Sequence, residues 1–549
     1  MGGDVSDAQA DCPTRWPRRE LLAYLAGVPL TGLVGCGLQD RWSFDGQLLS
    51  PDYSVPHRLR DGWRPPEATE SPRSHRVVIV GGGIAGLSAA WQLQRRGIED
   101  FVVLELEDQP GGTSQSGERA GFRFPWGAHY VPAPMKENEP LVELFQELGA
   151  IVSVAEDGEP VFAEEALCRE PEERLFYQGR WIEGLYPHLD ASDEDLSQLE
   201  RFRQAMRDWS TRRDQSGRRM FAIPMSRGSD EDVVRKLDTI SMDQWMQSHG
   251  FTSPRLGWLV DYACRDDYGL TIRQTSAWAG VFYFASRLRP GSAESQPVIT
   301  WPEGNGRIVR HLADRCGRRL RGGHAVTAIR DAGAAGVQIR AFDARSSTAV
   351  DFVAEQVIFA TPQFLAPHLL VDWKASGRNL ASFRYGGWVV ANVFLDARPQ
   401  ESGREMSWDN VIYDSRSLGY VTSTHQTGSD HGPTVLTWYQ PMLDEDPRVS
   451  RAELMRLSWR DWASVVVSDL RKAHPDIGSL IRRIDVMRWG HAMIQPRVGF
   501  VWGDQRQAAA ESLGRIHFAG TDLSGVALME EAFDRGVRAG DRCLDSSVG

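Results

Sequence analysis

Short unbroken apolar runs alternate along this chain with longer stretches of helical spacing, the pattern of an α/β protein. Arg76 to Val80 is apolar after its first residue and predicts a buried strand. Ile84 to Arg96 carries apolar side chains at helical spacing. Phe101 to Leu104 predicts a second buried strand, which completes a βαβ unit. Residues 136–290 read as helix-rich, with helices predicted at Pro140–Leu148, Asp193–Trp209 and Asp230–Ser248. A strand-rich stretch runs from Ala325 to Phe359, and a further apolar strand covers Gly387 to Leu395. Ser450 to Ala473 predicts a helix stopped at His474-Pro475. Residues 37–74 are rich in Pro, Arg, Asp and Ser and lack periodicity, which predicts a linker.

At 549 residues the chain exceeds one ordinary domain. Its hydrophobic fraction of 41% is ample for a sizeable core. The net charge of −12, with no strong Lys/Arg tract, argues against a nucleic-acid partner and describes a solvated acidic surface. The six cysteines form no CxxC pair, so a zinc site has no support, and the last four are expected to be free buried thiols. No GxSxG elbow or HExxH helix supports a hydrolase or metalloprotease.

The first forty residues differ from the rest. Arg18-Arg19 precede an apolar run from Leu21 to Gly35, too short to span a bilayer comfortably and fitting a signal-peptide core. The arginine pair resembles a bacterial twin-arginine export signal, although Pro17 stands where Ser or Thr is usual. Leu33-Val34-Gly35-Cys36 resembles a lipoprotein cleavage box. Together they imply a leader over residues 1–36, export to the periplasm or cell envelope, and membrane attachment through a lipidated Cys36.

Val77-Val78-Ile79-Val80-Gly81-Gly82-Gly83-Ile84-Ala85-Gly86 is a strand running through GxGxxG into a helix. Gly81 permits the tight turn, Gly83 lets backbone approach a pyrophosphate, and Gly86 lets the helix pack on the strand. N–H groups near Ile84 and Ala85 and the positive helix end favour phosphate. Glu105 ends the second strand at the spacing of a ribose-binding acid and disfavours a 2′-phosphate.

The segment Glu105 to Thr113, with Gly111-Gly112, resembles the flavin amine oxidase and phytoene desaturase superfamily, in which the glycine pair lies along FAD. Most relatives have Arg where Thr113 stands. Gly121 to Phe124 followed by Trp126-Gly127-Ala128-His129-Tyr130 is similar to the stretch that passes the isoalloxazine ring. Ser241, Trp245, Gly250 and Phe251 resemble a helix of the substrate region, and Pro302 to Gly306 the start of the second FAD segment. Val326 matches the strand whose backbone meets the adenine, and Val357 to Pro362, with Thr361, the strand beside the cofactor. Phe518-Ala519-Gly520-Thr521-Asp522 and Met529-Glu530-Glu531-Ala532 resemble the C-terminal strand and helix that close on the flavin. The resemblance covers about 75–545. It implies a Rossmann-like FAD-binding domain (75–135, 295–370 and 506–549) interleaved with an α+β substrate domain (136–294 and 371–505).

The chemistry is less legible. Amine oxidases of this superfamily often carry a lysine near the flavin, and here Ala391 or Asn392 falls at that position. Of their aromatic pair, Leu528 replaces one member and Phe500 matches the other. His129 and His491 are candidate acid/base residues or packed histidines. Asp267, in Asp266-Asp267-Tyr268, is a candidate for engaging a cation, or a cap. Three functions stay open: an exported FAD-dependent oxidase of an amine, including polyamines, by hydride transfer with oxygen or a quinone as acceptor; a desaturase or isomerase of an apolar polyene-like substrate; and a flavoprotein partner without small-molecule turnover.

Overall fold

The computed structural model describes residues 44–289 and 295–545. Near its start β1 (Asp45–Leu49) leads into the short helix α1 (Ser54–Arg60). The βαβ unit follows as β2 (Arg73–Val80), α2 (Ile84–Arg95) and β3 (Phe101–Leu104). The chain then leaves this sheet for β4 (Glu173–Tyr177) and a helical layer of α3 (Asp193–Thr211), α4 (Pro254–Tyr268) and α5 (Ala277–Ala285). It returns as β5 (His324–Asp331), β6 (Val337–Asp343) and β7 (Thr348–Phe359). A second excursion supplies β8 (Tyr385–Leu395), β9 (Asp409–Ile412), β10 (Thr434–Pro441) and β11 (Ile481–Ile494). Finally β12 (Ile516–Phe518) rejoins the first sheet, and α6 (Met529–Asp545) ends the described chain.

The first sheet has seven strands, ordered Leu320–Arg321, β3, β2, β7, β6, β5, with β12 beside β7. β2 is parallel to both β3 and β7, and β7 is parallel to β12. The long β7 serves both neighbours by pairing its N-terminal half with β6 and its last residues with β12. The second sheet has eight strands, ordered β1, β11, β8, β10, Tyr420–Thr422, β9, β4, Arg180–Glu183. Thus a Rossmann-like α/β unit is interleaved with an α+β unit. Close packing on the first sheet depends on missing side chains. A Cβ at Gly86 would lie 1.9 Å from the Gly81 carbonyl oxygen, and one at Gly536 of α6 would lie 2.2 Å from that of Ala85.

Three sequence expectations need correction. Asp230–Ser248 is not one helix: a short turn at Asp232–Arg235 and a tighter one at Lys236–Thr239 precede a new helix at Met242–Ser248. Likewise Ser450–Ala473 divides into Pro447–Arg456 and Trp459–Leu470. In both cases a serine starts the second helix: Ser241 accepts the Gln244 N–H and Ser458 the Asp461 N–H, each in a reciprocal capping box. The third concerns residues 37–74, read as a linker, which contain β1 and α1. Their polar composition hid them because β1 pairs on one side only and α1 buries a single residue, Val55. Cys264, Cys316 and Cys543 are buried as expected, whereas Cys168 is half-buried. Among the described residues no helix is long and apolar enough to cross a membrane. The leader, including Arg18-Arg19 and Cys36, lies outside them.

Candidate active site

A cavity of about 2010 Å3 is lined by both sheets and the helical layer. One end is built by the β2–α2 turn. Gly81 takes a φ of +105°, and a Cβ there would meet the Ala360 carbonyl oxygen at 2.7 Å. At Gly83 a Cβ would meet nothing within 4 Å, because this position opens on the cavity. Ile84 and Ala85 also line the wall, which puts the N-terminus of α2 at the cavity. Glu105 accepts the Gly82 N–H at 2.5 Å and the Glu107 N–H at 2.9 Å. Burial raises its pKa, and those two donors oppose the rise. Gly111, Gly112, Thr113, Gly127, Ala128, Val326, Thr361, Gly520, Asp522, Met529 and Glu530 complete this end. Asp522 accepts from the Gln363 N–H and the Tyr385 hydroxyl, both at 2.7 Å. Its Oδ1 and the Thr361 hydroxyl are buried without a partner among the described residues.

The other end is acidic and aromatic. β4 and β9 run parallel with Glu173 opposite Asp409, and both line the cavity. Like charges in that register oppose folding. Glu173 is exposed, though to the cavity and not to the outer surface, and its removal from bulk water, reinforced by Glu172, Glu170 and Asp266, pushes its carboxyl up to about 7. Burial and then the charges of Asp266 and Glu173 also hold Asp409 well above the usual carboxylate range. Asp266, in the last turn of α4, receives the Tyr130 hydroxyl at 3.4 Å, and burial with the charge of Asp267 holds it up as well. Asp267 differs, because Arg287 donates to it at 2.6 Å as an ion-pair partner. Tyr130, Tyr262, Tyr283, Trp388, Trp408 and Tyr439 supply the aromatic wall.

His129 stacks on Tyr439 with ring centroids 4.6 Å apart, and its Nδ1 lies 3.4 Å from the Gly127 carbonyl oxygen. Burial lowers its pKa to about 4. His491 stacks on Phe364 at 4.4 Å, and burial, then Arg451 and His57, lower it to about 4. Both rings line the cavity, and both are neutral near pH 7.

Not every residue singled out in the sequence reaches the cavity. Gly86 is a packing glycine, and Trp126 packs edge-on against Phe124 while its carbonyl accepts the Trp489 indole N–H at 2.6 Å. Phe500 is buried against Phe383, so it forms no part of a substrate cage. Ala391 faces the core, and Asn392 is engaged with Thr437 and the Pro125 carbonyl. Trp388 and Val390 are β8 residues on the wall, and none of the chain's lysines, Lys136, Lys236, Lys374 and Lys472, lines it. Conversely, Glu173, Asp409, Trp408 and Tyr439 were missed. Glu173, the Trp408-Asp409 pair and Tyr439 lie on or beside three strands far apart in sequence, and only the acid-rich run Glu170 to Glu173 hinted at any of them.

A family model described as "Flavin containing amine oxidoreductase" matches residues 84–544. The chain belongs to that family. Polyamine oxidase 1 of Zea mays is 41% identical over 64 residues, a stretch spanning 12% of each chain. The curated relatives are therefore matched over only a small part of their length. Solved structures superpose over most of the chain. Putrescine oxidase, solved bound to putrescine, superposes with a TM-score of 0.63 over 86% of this chain and all of that one, at 17% identity. A fatty acid isomerase from P. acnes superposes with a TM-score of 0.60 over 85% of this chain and 98% of that one, at 15% identity. At such identities these two establish the fold alone.

As a flavin amine oxidoreductase the protein uses FAD, and the first end of the cavity fits it. The α2 N-terminus suits the pyrophosphate and Glu105 a ribose, while the unpartnered oxygens of Thr361 and Asp522 await hydroxyl or N–H donors. The family this protein belongs to is one of flavin-dependent oxidoreductases.

Proposed function

We propose that this enzyme oxidises an amine carrying more than one positive charge, a diamine or polyamine. The observation that carries the reading is the in-register pair Glu173 and Asp409 on the cavity wall, with Asp266 beside it. Three crowded carboxylates are costly unless a cation relieves them, and the surrounding aromatic faces favour the same kind of guest. The neutral His129 and His491 add no opposing charge. A fatty acid carboxylate would be repelled by this wall, which argues against the isomerase chemistry that shares the fold.

FAD supplies the hydride acceptor, with oxygen or a quinone taking the electrons onward. The chain's own residues bind and orient. Glu173 and Asp409 hold an ammonium group, and the aromatic wall limits water around the carbon chain. The reacting nitrogen must be neutral. Asp266, hydrogen-bonded by Tyr130 and made more basic by burial, is in its ionised form a competent acceptor for the nitrogen's proton. Anaerobic mixing with a panel of mono-, di- and polyamines, followed by visible flavin absorbance, tests this. Bleaching fastest with dications is expected, and a flavin that stays oxidised with every amine overturns the reading. Arg18-Arg19, the apolar run and Cys36 support export to the cell envelope with a lipid anchor. Recovery of a Cys36→Ser protein in the soluble fraction, against membrane recovery of the parent, tests that part.

A further inference from the structure

The segment before the family match, which begins at residue 84, has a place in the cavity. β1 forms the edge of the second sheet, parallel to β11, with Asp45 opposite Arg483 and Leu49 opposite Met487. It is seated tightly: a Cβ at Gly46 would lie 1.8 Å from the Ile484 carbonyl oxygen and 2.6 Å from the Trp459 indole nitrogen. The Arg483 guanidinium reaches Asp45 at 3.0 Å, and Phe44 packs edge-on against Trp459. From there the chain crosses to the first sheet. The Asp52 N–H donates to Glu107 at 2.5 Å, two residues past the ribose acid. Val55 of α1 is buried with Ala325 and Phe342, flanked by Leu59, Trp63 and Leu106. Trp63 meets Phe342 edge-on at 5.2 Å and carries Arg58 over its face at 3.9 Å.

Residues 44–63 are thus anchored at both ends, on different sheets, and between the anchors every residue from Ser50 to Arg60 except Ser54 and Arg58 lines the cavity. They share that lining with Glu105, Leu106, Glu107, His324, Ala325 and Val326, the residues around the acid whose spacing suits a ribose. Tyr53 and His57 form an aromatic pair there, with centroids 4.9 Å apart, and Tyr53 is 40% exposed. A helix that buries only Val55 adds little to the core, so its value lies in what it covers.

We propose that residues 44–63 form a cofactor-retaining strap that completes the AMP end of the FAD site and slows FAD release. The strap bridges the two sheets, so the AMP half leaves only when α1 lifts from Ala325 and Phe342 or the Asp52–Glu107 tie opens. Tyr53 and His57 offer the aromatic surface that an adenine ring takes. This holds whichever amine is oxidised, because the AMP half takes no part in the chemistry.

The experiment measures FAD release from the full-length holoprotein, as the rise of free-flavin fluorescence on large dilution. Val55→Asp unseats α1, and Tyr53→Ala with His57→Ala removes the aromatic pair without touching the core. Release at least tenfold faster in the first and severalfold faster in the second, with the visible spectrum of the bound flavin unchanged, is expected. Both variants should also bind FMN, which lacks the AMP half, as tightly as the parent does. Release rates within twofold of the parent in both overturn the proposal. Should Val55→Asp fail to fold, the double variant decides alone.

Discussion

The two ends of the cavity recognise their ligands by different means. At the FAD end the work falls to backbone and to absent side chains: the turn through Gly81 and Gly83, the N-terminus of α2, and the glycine pair Gly111-Gly112. Of its carboxylates, Glu105 is satisfied by backbone donors. At the substrate end side chains do the work, and removal from bulk water, reinforced by neighbouring acids, raises the pKa of Glu173, Asp266 and Asp409. A site for a large, constant cofactor is built from geometry that no point charge spoils. The acidic end keeps an electrostatic tension that a cationic guest relieves, so binding strength there depends on pH.

That contrast breaks most visibly at Gly86. Gly86→Val drives a side chain into the Gly81 carbonyl, since a Cβ at this position would lie 1.9 Å from its oxygen. Overpacking of this kind costs about 1–3 kcal/mol or more, and here it opens the phosphate turn. The flavin-to-protein absorbance ratio of purified protein is expected to fall to near zero. Normal FAD content would mean the turn tolerates what its geometry forbids.

At the acidic end the effects should split in sign. Asp409→Asn and Glu173→Gln each remove a charged hydrogen-bond partner of the substrate, worth about 1.5–3 kcal/mol, so KM for a dicationic amine should rise about ten- to a hundredfold. The same changes relieve the like-charge pair, so the melting temperature without amine should rise. A KM that does not move would reduce these acids to structural residues.

Proton uptake sharpens the comparison further. Glu173 is raised to about 7 from an ordinary 4.5, so the folded protein holds that proton more tightly than the unfolded chain. Its stabilising contribution is complete below pH 4.5 and is lost as pH climbs through 7. The melting temperature of the amine-free protein should decline across that window, while KM for a dication falls as the carboxylates ionise. Scans from about pH 4.5 to 8 with and without amine check both signs, and parallel trends would refute the assignment.

The smallest effect is expected at His129. Because it is neutral, stacked on Tyr439 and lowered to about 4, His129→Phe should change kcat by less than about tenfold and leave its pH profile between about 6 and 9 intact. General acid or base catalysis contributes roughly a hundred- to ten-thousandfold, so a loss of that size would restore His129 to the chemistry.

Sequence alone determined the FAD end because its parts are local. Gly81 to Gly86, Glu105 and Gly111-Gly112 fall within or just past one βαβ unit, where spacing and residue type carry the conformation directly. It also marked His129, His491 and Asp267, whose side chains reach the cavity or its edge. The tertiary structure alone decided that Asp267 is tied up by Arg287 while Asp266 is left without an ion-pair partner among the described residues. It alone placed Phe500 in the core and Tyr439 on the wall. Glu173 and Asp409 lie far apart in the chain and become neighbours only through the register of two short parallel strands. The polar stretch before Arg73 became a strand and a helix for the same reason: an edge strand and a one-residue anchor draw their order from the surfaces they rest on, not from a pattern of their own.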